Sequence, residues 1–279
     1  MKFTLSFTVV FSCVVCYMLA PDVVTYDWRM IILLFIAGML VAGSANTINQ
    51  AVEKDTDALM KRTAGRPVAS GRMTTNEAYS FAFFTGIVGV FMMYYFFNLE
   101  SALLSAFSLF LYAFVYTPLK KVNSIAVLVG AFPGAFPCLI GWIAGFSDSS
   151  AINWTGGLIL FSIQFLWQFP HFWAIAWVAH NDYSKAGFKL LPSDKGPTKF
   201  TALQALLYSL LMVPVGMMPY YFNISGQVSL FILLVCNLAM IMQCVRLYIQ
   251  MDVKAARRVM FSSYIYLPIV LLALLADKV

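Results

Sequence analysis

Runs of about twenty apolar residues recur along the whole of this 279-residue chain, and no other feature limits its folding as much. A helix of about 20 mostly apolar residues covers the hydrocarbon thickness of a bilayer. Inside lipid, only helices and closed barrels satisfy their own backbone hydrogen bonds. The runs lie at 3–20, 29–50, 78–97, 101–118, 123–146, 154–180, 200–222, 227–249 and 258–276. They predict an all-α, polytopic membrane protein of about nine spans, one domain over 1–279 with no room for a soluble one. Hydrophobic residues make up 61% of the chain and mean hydropathy is +0.81, well outside the range of a soluble domain. The opening MKFTLSFTVVFSCVVCYMLA resembles a signal peptide in its Lys and apolar run. Its run is of spanning length and no small-residue cleavage site follows, so a retained first helix is expected.

Charge placement tests this topology independently of hydropathy. With the N-terminus inside, the inner face receives Lys2, then Lys54, Lys61, Arg62, Arg66 and Arg72, then Lys120 and Lys121. It also receives Lys185, Lys189, Lys195 and Lys199, and finally Arg246, Lys254, Arg257 and Arg258, leaving only Arg29 and Lys278 outside. Basic residues retained on the cytoplasmic side set orientation, so the expectation is a multi-pass inner-membrane protein, N-in and C-out. A pI of about 9.0 then calls for no nucleic acid, because the basic loops lie beside anionic lipid. Cys13 and Cys16 form a C-x-x-C inside an apolar helix with no βαβ pattern, which reads as packing. His171 and His180 are nine positions apart, on opposite sides of one helix, and so do not share a metal.

Two inner loops, 46–77 and 180–199, carry most of the polarity. The first reads NTINQAVEKDTDALMKRTAGRPVASGRM. Continued as a helix, Asn49, Glu53 and Asp57 fall at i, i+4 and i+8, with Asn46 one turn earlier, while Asp55 points away. Two carboxylates and two amides are hard oxygen ligands suited to Mg²⁺, which completes its shell with water and substrate phosphates. Arg62 and Arg66 follow, and arginine matches phosphate oxygens bidentately. A magnesium diphosphate cradle at the membrane surface is expected, with Asn49, Glu53, Asp57 and Asp182 as ligands. Asp182 comes from the second loop, HNDYSKAGFKLLP, where Asn181, Tyr183 and Lys185 accompany it. Two such clusters can bridge one diphosphate through metal ions and stabilise it as a leaving group.

The fifth run, VLVGAFPGAFPCLIGWIAG, reads either as tight small-residue packing or as a bent wall around a cavity. The sixth, QFLWQFPHFWAIAWVAHNDY, sets Trp167, Trp173 and Trp177 among Gln164, Gln168 and His171, and suggests a flat aromatic pocket near Pro170.

Taken together, N-x-x-N-x-x-x-E-x-x-x-D with MKRTAGRP, a second acidic loop four helices later and about nine spans resemble the UbiA superfamily of intramembrane prenyltransferases. ALMKRTAGRPVASGR, AFPCLIGWIAG, FLWQFPHFWAIAW and DYSKAGFKLLP are similar to its haem-farnesylating branch, over nearly the whole chain. The resemblance implies a helical bundle open to lipid with its active site toward the cytoplasm. It implies farnesyl diphosphate and haem B as substrates, Mg²⁺ as cofactor, and haem O and diphosphate as products. A downstream haem A synthase or terminal-oxidase assembly is the implied partner. Asn46, Asn49, Glu53, Asp57, Arg62 and Arg66 match the first motif, and Asp182 and Lys185 the second. His171 in PHFW is the expected haem contact, through iron or a propionate; Tyr116, Lys120 and Lys121 in YTPLKK can reach diphosphate or propionates, or simply anchor the helix end. Three departures stand out: Glu53 where the superfamily has Asp, Asn181 where a second acid is usual, and a short N-terminus without the Lys-Pro lead-in, as a mis-set start codon would give. The rivals are a UbiA enzyme for a quinone precursor or another tetrapyrrole, and a solute transporter. Against the transporter, the charges gather at the surface rather than at the midplane.

Overall fold

The computed structural model describes residues 3–193 and 195–279; Lys2, placed above on the inner face, lies outside the described residues. The helices are α1 (Phe3–Leu19), α2 (Trp28–Val52), α3 (Lys54–Leu59), α4 (Thr75–Phe96), α5 (Leu99–Phe110) and α6 (Thr117–Leu119), the last two joined by a π-helical stretch, Leu111–Tyr116. Then come α7 (Ala126–Ala144), α8 (Trp154–Val178), α9 (His180–Lys185), α10 (Lys199–Tyr221), α11 (Gln227–Gln250) and α12 (Val253–Ala276). Every apolar run coincides with a long helix, the fourth being the continuous rod from α5 to α6. Eight of these are long and apolar enough to cross a membrane. The first run is the exception in length: α1 has 17 residues, about 25 Å at 1.5 Å per residue.

Two contacts fix how α1 runs. Asn46 Nδ2, near the end of α2, donates to Ser6 Oγ at 2.9 Å, so α1 starts where α2 finishes. At the other end, the Lys278 ammonium donates to the carbonyls of Met18, Ala20 and Val23 at 2.9, 2.7 and 2.8 Å. The chain therefore ends on the face opposite the end of α2, as an odd number of passes requires.

Between helices in lipid there is little hydrophobic driving force, so close van der Waals packing and interhelical hydrogen bonds hold them. α7 uses both. A Cβ on Gly141 would stand 1.9 Å from the Cys13 carbonyl oxygen, and one on Gly134 the same distance from Gln168 Oε1. The glycines of the fifth run thus serve tight packing against α1 and α8. Pro137 has no N–H to give the Pro133 carbonyl; the Ser108 hydroxyl donates to that oxygen instead, at 3.4 Å. Gln164 and Gln168 add side-chain donors from α8 to Gly134 O and Ala131 O, at 2.7 and 2.9 Å. The tryptophans of the sixth run are core residues, Trp167, Trp173 and Trp177 all being buried.

Helix starts are capped by side chains. Asp27 Oδ1 accepts from Arg29 N at 2.8 Å at the head of α2, and Thr74 with Glu77 forms a capping box at the head of α4. Asn98 caps α5 and also donates to Ile143 O and Phe146 O at the end of α7, at 2.8 and 3.1 Å.

Candidate active site

The end of α2, the start of α9 and the end of α6 meet on one face of the bundle. The first motif is not one helix, as its spacing suggests. α2 stops at Val52, Glu53 has φ −95° and ψ 15°, and α3 restarts at Lys54. The four-residue hydrogen bonding nevertheless continues, with Glu53 N donating to Asn49 O at 3.0 Å and Asp57 N to Glu53 O at 2.7 Å. That is why Asn46, Asn49, Glu53 and Asp57 all remain buried, at 5, 0, 3 and 0% exposure, while Asp55 faces out.

Each buried carboxylate has a cation. The Lys120 ammonium pairs with Glu53, and Arg66 Nη1 donates to Asp57 Oδ1 and Oδ2 at 2.7 and 2.5 Å. Lys120 lies 4.8 Å from the Tyr116 ring centroid and 5.5 Å from that of Phe188. Burial lowers its pKa below the ordinary lysine value, outweighing the Glu53 charge that favours the ammonium. The Lys120 carbonyl accepts from Lys189 N at 2.8 Å, which ties the second loop to this corner.

The π-helical stretch aims these groups. Thr117 donates both its N–H and, at 2.8 Å, its hydroxyl to Tyr112 O, five residues back. Extra residues inserted into a helical turn re-aim side chains and recur at functional sites. Asn49 Nδ2 then meets Thr117 Oγ1 at 3.4 Å, and Tyr116 packs against Gly130, where a Cβ would come within 2.5 Å of the ring.

The structure thus gathers Asn49, Glu53, Asp57, Arg66, Tyr116 and Lys120, with Asn46 one turn deeper. It does not gather the rest. Arg62 and Arg66 diverge: Arg62 Nη2 donates to Tyr183 OH at 3.0 Å and sits 5.6 Å over that ring. Burial pushes the Tyr183 phenol up, against the pull of Arg62 and Arg66. Asp182 is half-buried on α9 with no side-chain hydrogen bond among the described residues, and Lys185 is exposed. The second loop reaches the cluster through Tyr183 and Phe188, not through its acid. His171 lies apart on α8, its Nδ1 2.8 Å from Ser263 Oγ on α12. Thr117 and Phe188 are not among the residues the sequence singles out; Tyr112 and Tyr116, four residues apart, flank that turn.

Among the described residues no three His, Cys, Asp or Glu side chains stand together as a protein-only metal cage. The donors present are oxygens, and the Asn46 Oδ1 atom is buried with no hydrogen-bond partner. A buried oxygen left unpaired is costly, and one or two carboxylates are what Mg²⁺ takes when substrate phosphates complete its shell. The residues fit that ion.

An apolar groove of about 820 Å³, lined by Ser44, Ile48, Tyr79, Phe83, Tyr94 and Leu103, opens between α2, α4 and α5. Ser44 and Ile48 lie roughly 150° around α2 from the Asn49–Glu53 face at about 100° per residue. The groove therefore faces away from the polar cluster.

A model of the UbiA prenyltransferase family matches residues 9–265. Protoheme IX farnesyltransferase of Cytophaga hutchinsonii is 46% identical over 278 residues, covering 100% of this chain and 96% of its own. Among solved structures, a digeranylgeranylglyceryl phosphate synthase superposes with TM-score 0.80 at 21% identity over 97% of this chain and 93% of its own. A UbiA homolog from Archaeoglobus fulgidus bound to GPP and Mg²⁺ superposes with TM-score 0.64 at 15% identity, over 97% of this chain and 95% of its own.

Proposed function

The chain belongs to the UbiA prenyltransferase family, and on that premise we propose that it transfers the farnesyl group of farnesyl diphosphate to the 2-vinyl group of haem B. Water adds in the same reaction, and haem O and diphosphate leave. The observation that carries this reading is the full-length match to protoheme IX farnesyltransferase. The paired carboxylates and cations at one end of the bundle supply the chemistry it needs.

Arg66 and Lys120 would exchange Asp57 and Glu53 for the diphosphate oxygens, with Arg62, bonded to Tyr183, and the exposed Lys185 as further cations. Asn46, Asn49, Glu53 and Asp57 would hold Mg²⁺; Asp182, which lies outside that cluster, is the ligand the second loop would offer. The bound ion would neutralise charge on the departing diphosphate. As the farnesyl C1–O bond breaks, the vinyl terminal carbon supplies the electron pair for the new C–C bond. Water adds its hydroxyl to the inner vinyl carbon and gives up one proton. Tyr116 and Phe188, packed around Lys120, keep bulk water from the cations and so strengthen their hold on phosphate. The longer Glu53 side chain suits its place at the break between α2 and α3, from which it reaches Lys120 just past the end of α6.

The bilayer supplies the prenyl substrate. The lysines and arginines of the loops on the active-site side support an N-terminus and active site on the cytoplasmic face of the inner membrane. A haem A synthase or a terminal oxidase would take the product. Release of diphosphate from farnesyl diphosphate by purified protein with Mg²⁺ tests the reading. Release that rises with added haem B is expected; release indifferent to haem B would point to another prenyl acceptor.

A further inference from the structure

Gln164, Gln168 and His171 share one face of α8, within about 60° at 100° per residue. The glutamines turn to α7, whereas His171 turns to α12. The Ser263 hydroxyl donates its single proton to Met260 O at 2.6 Å. At 2.8 Å from His171 Nδ1 its oxygen can therefore only accept, so the proton of the neutral ring sits on Nδ1. Nε2 then carries a lone pair and has no hydrogen-bond partner among the described residues. The ring plane is set as well. Trp167 stacks on it at 4.5 Å with 22° between planes, and the Trp167 indole N–H is itself held by Ser263 O at 2.9 Å. Tyr264 meets the ring edge-on from α12 at 5.3 Å.

Trp167 already ties α8 to α12, so the His171 bond is not needed for that. The ring is half-buried, and its plane is held while Nε2 is left open to a ligand. We propose that His171 Nε2 is an axial ligand to the iron of the tetrapyrrole substrate, with Ser263 as its positioning residue. This rests on the haem reading above. A propionate is the wrong occupant, because a carboxylate needs a donor and Nε2 has no proton. Iron is the right one, since neutral imidazole binds it through a bare nitrogen whose orientation the other nitrogen's hydrogen bond fixes. His171 stands seven positions before the end of α8 at Val178, about 10 Å of helix. The ligated iron would thus lie roughly that far from the charged face.

The test is titration of purified protein with haem B, and with iron-free protoporphyrin IX as control, followed by resonance Raman of the ferrous complex. The wild type should show an iron–histidine stretch and bind haem B at least tenfold more tightly than the iron-free ring. H171A should lose both the stretch and that preference, and H171G should regain the stretch with added imidazole. S263A should keep the stretch, shift it, and weaken haem binding roughly tenfold, the usual effect of losing a ligand's supporting hydrogen bond. An unchanged stretch in H171A, or a stretch in S263A identical to wild type, overturns the assignment and leaves the farnesyl-transfer reading standing. Wild-type protein that binds neither ring removes the haem reading itself.

Discussion

Replacing Lys120 by Met asks what the buried charges cost and what holds them. Glu53 is 3% exposed and its partner Lys120 7%. Removing the ammonium leaves a carboxylate inside protein with its nearest cation gone, which typically costs about 3–5 kcal/mol. Asp57 keeps Arg66, so the loss should fall at the low end, about 3 kcal/mol, or roughly a hundredfold in the folded-to-unfolded ratio. Glu53→Gln in the same background removes the orphaned charge, and the double variant should return to within about 1 kcal/mol of wild type. Denaturant unfolding of the four proteins in one detergent, without metal, gives the coupling energy directly. If Lys120→Met alone costs under about 1 kcal/mol and Glu53→Gln adds to it independently, the pair is solvated and the reasoning fails.

Asp57→Asn should abolish turnover while leaving haem B binding within a fewfold of wild type; joint loss in a binding titration would make the residue structural. Lys120 has a lowered folded pKa, so between that value and about 10.4 the unfolded state holds more protons and its contribution to stability improves as pH rises. Its grip on diphosphate is lost over the same interval, so the alkaline limb of substrate affinity should fall earlier than for an exposed lysine, and Lys120→Arg should move that limb upward. Lys278→Ala removes the donor to three carbonyls at the end of α1; faster amide exchange at residues 20–27, by about 1–2 kcal/mol of local protection, is expected. Gly141→Val places a side chain against the Cys13 carbonyl, and the yield of folded protein after detergent extraction should collapse.

The fold was legible because lipid leaves few solutions. Every apolar run became a helix, and the two charged loops, expected on one side, meet through Arg62 and Tyr183. The site was legible in its residue types but not in its partners. Spacing put Asn49, Glu53 and Asp57 on one face, and hydrogen bonds across the break at Glu53 preserve that order although the helix itself stops. No local pattern shows that Lys120 would close on Glu53, since the pairing depends on a π-helical stretch whose widened turn leaves no mark in hydrophobic periodicity. Gln164 and Gln168 misled for a related reason. Polar residues in a span suggest a cavity, but here they satisfy the backbone of a proline-rich neighbour.

The most direct test of the central claim is the mass of the pigment formed when purified protein is given haem B, farnesyl diphosphate and Mg²⁺. The account expects haem B to gain one farnesyl and one hydroxyl group, with the product absent when Mg²⁺ is chelated or Asp57 is replaced by Asn. Haem B recovered unchanged from folded protein that binds both substrates would contradict it.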